Sequence, residues 1–113
     1  MLLDFKKMEE KVIPHFKGGE KEIAAKMYLD ENNRIMRGKL QPGASIGMHT
    51  HDINSEIIFI ISGNGKVLID DGEEKVSAGS VHYCPMGHAH SLINNGEQDL
   101  EFYCVVPKHK MSL

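Results

Sequence analysis

Along most of this chain, apolar and polar residues alternate in short runs cut at close intervals by Gly, Pro, Asn and Asp. Period-two patterning between turn residues predicts strands. They are expected at 23–28, 34–40, 46–51, 56–62, 66–70, 73–77, 90–94 and 100–106. Asp30-Glu31-Asn32-Asn33 and Gln41-Pro42-Gly43 end the first two, and Gly63-Asn64-Gly65 turns the chain after the fourth. Asp71-Gly72 and Asn95-Gly96 read as tight hairpin turns. Tyr83-Cys84-Pro85 leads into a turn at Met86-Gly87. In residues 1–13 the apolar Leu2, Leu3, Phe5, Met8, Val12 and Ile13 lie among charges, as in a short amphipathic helix or an irregular arm. Pro14 and Gly18-Gly19 break that segment. The body of the chain predicts no helix, so the expected class is all-β, a sandwich or barrel. One domain is expected over residues 1–113, with a barrel at about 20–107 and an N-terminal arm at 1–19.

The run from Glu56 to Ile61 adds a point about assembly. Glu56, Ile58 and Ile60 share one strand face, and Ile57, Phe59 and Ile61 share the other. A strand that is apolar on both sides needs cover on both, so a homodimer is expected. Composition narrows the partners. With 13 basic and 16 acidic side chains the formal charge is −3, which offers nothing to nucleic acid or an anionic membrane. The paired Lys108 and Lys110 read as a solvated tail. No basic segment followed by an apolar run opens the chain, and no stretch is long enough to span a bilayer, so a cytoplasmic location is expected. Cys84 and Cys104 are too few for a disulfide framework and read as small buried apolar residues.

Seven histidines bring in metal chemistry. His49 and His51 are two residues apart, which on a strand places both imidazoles on one face. Glu56 follows at an odd separation, so it can join them only if Asp52-Ile53-Asn54-Ser55 forms a loop that re-aims the next strand. Further on, Pro85 and Gly87 shape a turn that feeds His90 into a strand. Three imidazoles and one carboxylate suit one divalent transition metal (Fe, Mn, Ni, Cu, Co or Zn) better than Mg or Ca. On a six-coordinate ion, four such ligands leave two positions open.

These residues also carry a resemblance. Gly43, His49, His51, Glu56 and Gly63 are similar in type and spacing to the first signature of the cupins, and Gly79, Pro85, Gly87, His90 and Asn94 to the second. The resemblance, to small single-domain cupins, spans residues 43–94. It implies a double-stranded β-helix, the cupin jelly-roll barrel, with His49, His51, Glu56 and His90 as metal ligands inside it. It does not fix a reaction, because cupins with this ligand set include dioxygenases, decarboxylases, isomerases, lyases and proteins with no known reaction.

Around this set the candidates thin out. His88 and His82 could act as acid or base next to the site, with rim positions as the plainer alternative. Arg37 could meet a substrate carboxylate, but an outward position is the preferred reading for it and for Arg34. Met36, Met48 and Met86 read as core or pocket lining, and Asn94 as a brace at the barrel end. Tyr83 and Tyr103 could offer hydroxyls. His15 and His109 read as surface residues. The expected function is a metal-dependent, dioxygenase-like enzyme acting on a small organic molecule, with Glu56 as ligand and proton acceptor and His88 as acid or base. The alternatives are Lewis-acid isomerase or lyase chemistry, or non-catalytic binding of a sugar or carboxylate. No DNA-binding helical motif accompanies the pattern.

Overall fold

The structure, a computed structural model, describes residues 1–109. Lys110, half of the expected basic tail, lies outside the described residues. Among the described residues, ten strands form two antiparallel sheets. They are β1 (Lys11–Pro14), β2 (Glu22–Leu29), β3 (Asn33–Leu40), β4 (His49–Thr50), β5 (Glu56–Ser62), β6 (Asn64–Ile69), β7 (Gly72–Ser77), β8 (Val81–Cys84), β9 (Ala89–Ile93) and β10 (Leu100–Pro107). The larger sheet runs β1-β2-β3-β10-β5-β8 and the smaller β4-β9-β6-β7. The two face each other in an all-β jelly-roll barrel, as expected from the sequence.

Strand alternation builds the core. On β10, Leu100, Phe102, Cys104 and Val106 point inward and are buried, while the residues between them are more exposed. Ile23, Met36, Leu40, Ile58 and Ile60 complete the large sheet's inner face, and Val67, Val76 and Leu92 meet them from the small sheet. Each of these large side chains contributes about 1.5–3 kcal/mol by leaving water. Both cysteines are free and buried within this layer.

Several expected elements differ. The N-terminal segment is neither an amphipathic helix nor irregular throughout. A short 3-10 turn (Phe5–Lys7) precedes β1, which pairs with β2 and places Val12 opposite Ala24. The strand expected at 46–51 is reduced to β4, with a separate bridge from Ser45 to Ile93. Val81–Cys84 is a strand rather than only the approach to a turn, and it pairs with β5. The β6–β7 hairpin turns at Asp70-Asp71, one residue earlier than expected, with Gly72 already paired to Ile69. Asn95-Gly96 is not a hairpin turn, because β9 and β10 belong to different sheets. It lies on the crossing between them, which Asn94 holds. The Asn94 amide donates to the Leu40 carbonyl (2.7 Å) and the Gln98 carbonyl (2.8 Å), and its oxygen accepts from the Gly96 N–H (2.9 Å).

Candidate metal centre

Three strands and one loop bring the sequence-predicted ligands together. β4 and β9 pair so that His49 lies opposite His90. Glu56 is the first residue of β5, opposite Cys84 on β8. His51 sits at the start of the loop between β4 and β5, and that loop re-aims the chain as the odd His51–Glu56 spacing required. It is tied to the end of β10: the Ser55 N–H donates to the Pro107 carbonyl (3.2 Å), the His109 N–H donates to the Ile53 carbonyl (2.7 Å), and the exposed His109 ring lies 2.8 Å from the Ser55 hydroxyl. Gly47 sets the approach to His49. Its N–H donates to the Phe16 carbonyl (3.0 Å), and any Cβ there would collide with the Lys17 carbonyl.

One donor atom from each of His49, His51, Glu56 and His90 lies within 4.8 Å of all the others. The Glu56 Oε1 stands 3.4, 3.2 and 2.8 Å from the Nε2 atoms of His49, His51 and His90. The His90 Nε2 is 3.1 Å from that of His49 and 3.0 Å from that of His51. The far nitrogens fix the tautomers. His49 Nδ1 donates to the Gly47 carbonyl (2.7 Å), and His51 Nδ1 to the Asn54 side-chain oxygen (2.6 Å). Their Nε2 lone pairs therefore point at one another and at a carboxylate oxygen. Acceptors that converge in this way are mutually repulsive unless a cation or a proton lies among them. Around an ion with bonds of ~2.1 Å, neighbouring ligands stand ~3.0–3.4 Å apart; four of the five separations fall in that range, and the 2.8 Å between Glu56 and His90 lies just below it. The donor set fits a divalent transition metal.

The electrostatics agree with the geometry. Burial pushes the Glu56 carboxyl up, but a proton shared by the rings of His49, His51 and His90 in place of a cation hydrogen-bonds to it, outweighs burial and holds the group well below the usual carboxylate range. Burial pulls His51 down, yet bonds to Glu56 and Asn54 leave it raised. His90 is lowered by burial, with Glu56 opposing. The Cys84 thiol is pushed up to about 11 by burial and by the charges of Glu56 and Asp70, and Cys104 goes well above its ordinary value, mainly through burial. Both thiols therefore stay protonated beside the centre.

The centre opens on a cavity of about 200 Å³ lined by Arg34, His49, Thr50, His51, Asn54 and Val106, among others. Arg34, on β3, places Nη2 4.0 Å from Glu56 Oε2, and its buried Nε has no hydrogen-bond partner among the described residues. Of the two arginines, Arg34 therefore reaches the site. Arg37 points outward, pairs with Glu101 (3.4 Å) and lies over the Tyr103 ring (5.1 Å).

His88 does not join the centre. It sits in the turn before β9, after Gly87 at φ +92°, so the alternation of that strand does not extend back to it. Its ring is 43% exposed and meets the Asp70 carboxylate at 2.9 Å. Tyr83 and Met86 are exposed, as is Met48, while Met36 is core. His82 is the histidine that does come close. It is buried, with Nε2 2.9 Å from His90 Nδ1 and Nδ1 2.7 Å from Glu74 Oε1. Glu74 lies in the polar run Glu73-Glu74-Lys75, which carries no signal for such a role. Asn54 had one, a polar residue three positions after a ligand histidine inside a required loop.

The family model for the cupin domain matches residues 36–106. An oxalate-binding protein of Thermotoga maritima is 36% identical over 101 residues, which span 83% of this chain and 83% of that protein. A crystal structure described as a predicted oxalate decarboxylase from Thermotoga maritima superposes with a TM-score of 0.89 at 30% identity, covering 96% of this chain and 99% of that one. A cupin 2 conserved barrel domain protein from Salinispora arenicola shares the fold at a TM-score of 0.72 and 20% identity, over 96% of this chain and 87% of that one. Signatures, barrel and matches agree, and the chain belongs to the cupin family.

Proposed function

We propose that this protein holds one divalent transition metal through His49, His51, Glu56 and His90 and captures a small dicarboxylate of the oxalate class on it. The observation that carries this reading is the convergence of three imidazole lone pairs and the Glu56 oxygen beneath Arg34. A divalent ion held by His49, His51, Glu56 and His90 would supply Lewis acidity towards a carboxylate ligand. Arg34 supplies the second element of recognition, a guanidinium at the mouth whose Nε has no partner among the described residues. Glu56 stays ionised and serves as the anionic ligand. The relatives named for oxalate move the reading from the dioxygen chemistry expected of the ligand set towards a carboxylate ligand.

Oxalate titration into metal-loaded, desalted protein tests this. Saturating oxalate should raise the melting temperature while the metal stays bound, with Arg34→Ala weakening the effect by about tenfold or more. No stabilisation by oxalate would defeat the proposal. Product analysis then separates the enzyme from the binding module. Formate and carbon dioxide indicate decarboxylation, and unchanged oxalate indicates capture alone.

A second reading concerns assembly. On the outer face of the large sheet, Phe59, Ile61, Val81, Tyr83 and Tyr103 are all exposed, and the half-buried Ile57 lies beside them. Phe59 stands directly between Tyr103 and Val81 in register. We propose that a second copy covers this face in a homodimer, to be tested by sedimentation.

A further inference from the structure

The partners of the three ligand imidazoles are unequal. His49 and His51 each donate to a neutral oxygen within three residues in sequence, the Gly47 carbonyl and the Asn54 amide. His90 instead meets His82 (2.9 Å), and His82 meets the Glu74 carboxylate (2.7 Å). The three residues come from β7, β8 and β9, so the chain of bonds passes from the small sheet to the large one and back. The His82 side chain is 1% exposed and its ring stacks on that of His90 at 5.2 Å between centroids, whereas Glu74 is 54% exposed.

A carboxylate only accepts, so the His82 proton sits on Nδ1, facing Glu74. The neutral ring then offers its Nε2 lone pair to the His90 Nδ1–H. That bond leaves the proton of His90 on Nδ1 and its Nε2 free to face the centre. The negative charge at the end of the chain polarises both rings in the same direction and makes His90 the stronger donor to a cation.

We propose that Glu74 and His82 are positioning residues for the metal centre, a carboxylate–histidine relay that fixes the tautomer of His90 and strengthens it as a ligand from the solvent side of the barrel. The inference rests on the metal-centre reading and assigns a role to two residues that do not themselves touch the ion.

Affinity for cobalt(II) and zinc(II), measured on the full chain, tests it. Glu74→Gln keeps the size of a surface side chain and removes its charge. It should weaken both ions about tenfold and shift the cobalt(II) ligand-field bands. His82→Leu removes the relay and should cost about 100-fold. The control is Glu73→Gln, on the neighbouring residue, which pairs with Lys66 at 3.5 Å and should leave affinity within about twofold of wild type. Glu74 acting only as a brace between sheets would lower the melting temperature of metal-free protein and leave cobalt affinity and spectrum unchanged. That result for Glu74→Gln, with wild type binding normally, overturns the relay alone. Wild type that takes up neither ion overturns the metal centre and the relay together. Should His82→Leu fail to fold, Glu74→Gln decides the question.

Discussion

The two faces of β5 carry almost the same composition and meet opposite fates. Glu56, Ile58 and Ile60 point into the barrel and are buried. Ile57, Phe59 and Ile61 point out, and the last two are exposed at 42% and 37%. The inner face shows how a charge is tolerated inside a barrel. Glu56 begins the strand where three imidazoles converge, and its apolar neighbours two and four residues on seal the core behind it. The outer face has no such match within the described residues, apart from the N-terminal turn, where Phe5 rests 5.5 Å from Tyr103. Strand periodicity dictates both faces, and the surroundings decide which becomes core and which stays exposed.

Truncating one inner position should have the largest effect on stability. Ile58 is 1% exposed, and Ile58→Ala should cost about 2–5 kcal/mol through lost burial and the cavity left behind. Chemical denaturation measures it. A loss below about 1 kcal/mol would mean that the inner face is not the close-packed layer described.

At the head of the same face the effect moves from stability to metal. His51→Ala should weaken metal uptake by at least about 100-fold, or ~2.7 kcal/mol, while leaving the fold intact by circular dichroism. Retained affinity would remove His51 from the ligand set.

Acidity tunes the same centre by a smaller amount. The raised value of His51 means that its proton stabilises the metal-free fold fully below the ordinary 6.5. That contribution is lost as pH rises through the folded value. Metal must displace this proton, so affinity should climb by up to about tenfold per pH unit until His51 is neutral, then level off. Glu56 works in the other direction. Its depressed value gives stability above the ordinary 4.5 that is lost on acidification. Melting curves with and without zinc at about pH 6 and pH 8 check the sign, and a larger zinc-induced shift at pH 6 would contradict it.

What the sequence made legible follows from where each signal lives. The convergence of His49, His51, Glu56 and His90 was readable because its constraints are local: a two-residue strand period, a loop that the odd spacing demanded, and a Pro-Gly turn before His90. The strand β8 was not, because its alternation is inverted. Val81 and Tyr83 face out while His82 and Cys84 face in, so hydrophobicity points the wrong way wherever the interior is a polar centre. The first strand was hidden for a related reason, since Val12 is 56% exposed and the segment is held by pairing with β2 rather than by burial. Asn95-Gly96 has hairpin chemistry but spans two sheets, and sheet membership is a long-range property. Glu74 on β7 reaches His82 on β8 only because those strands lie in opposite sheets that fold over each other, which no local pattern reveals.

The smallest change in monomer stability separates the outer face from the inner one most cleanly. Phe59 is flanked in register by Tyr103 and Val81, and its outward ring contributes little to its own barrel. Phe59→Ser should therefore alter the stability of an isolated chain by no more than about 0.5–1 kcal/mol. A dimer that buries this face makes the melting temperature of the wild type rise with protein concentration, because association adds to folding by mass action. In the variant that dependence should vanish and the sedimentation coefficient should fall to that of a monomer. A wild type that sediments as a monomer with a concentration-independent melting temperature would leave the outer face as exposed apolar surface. The contrast between the two faces of β5 would then reflect only which side the barrel closed on, and not a second partner.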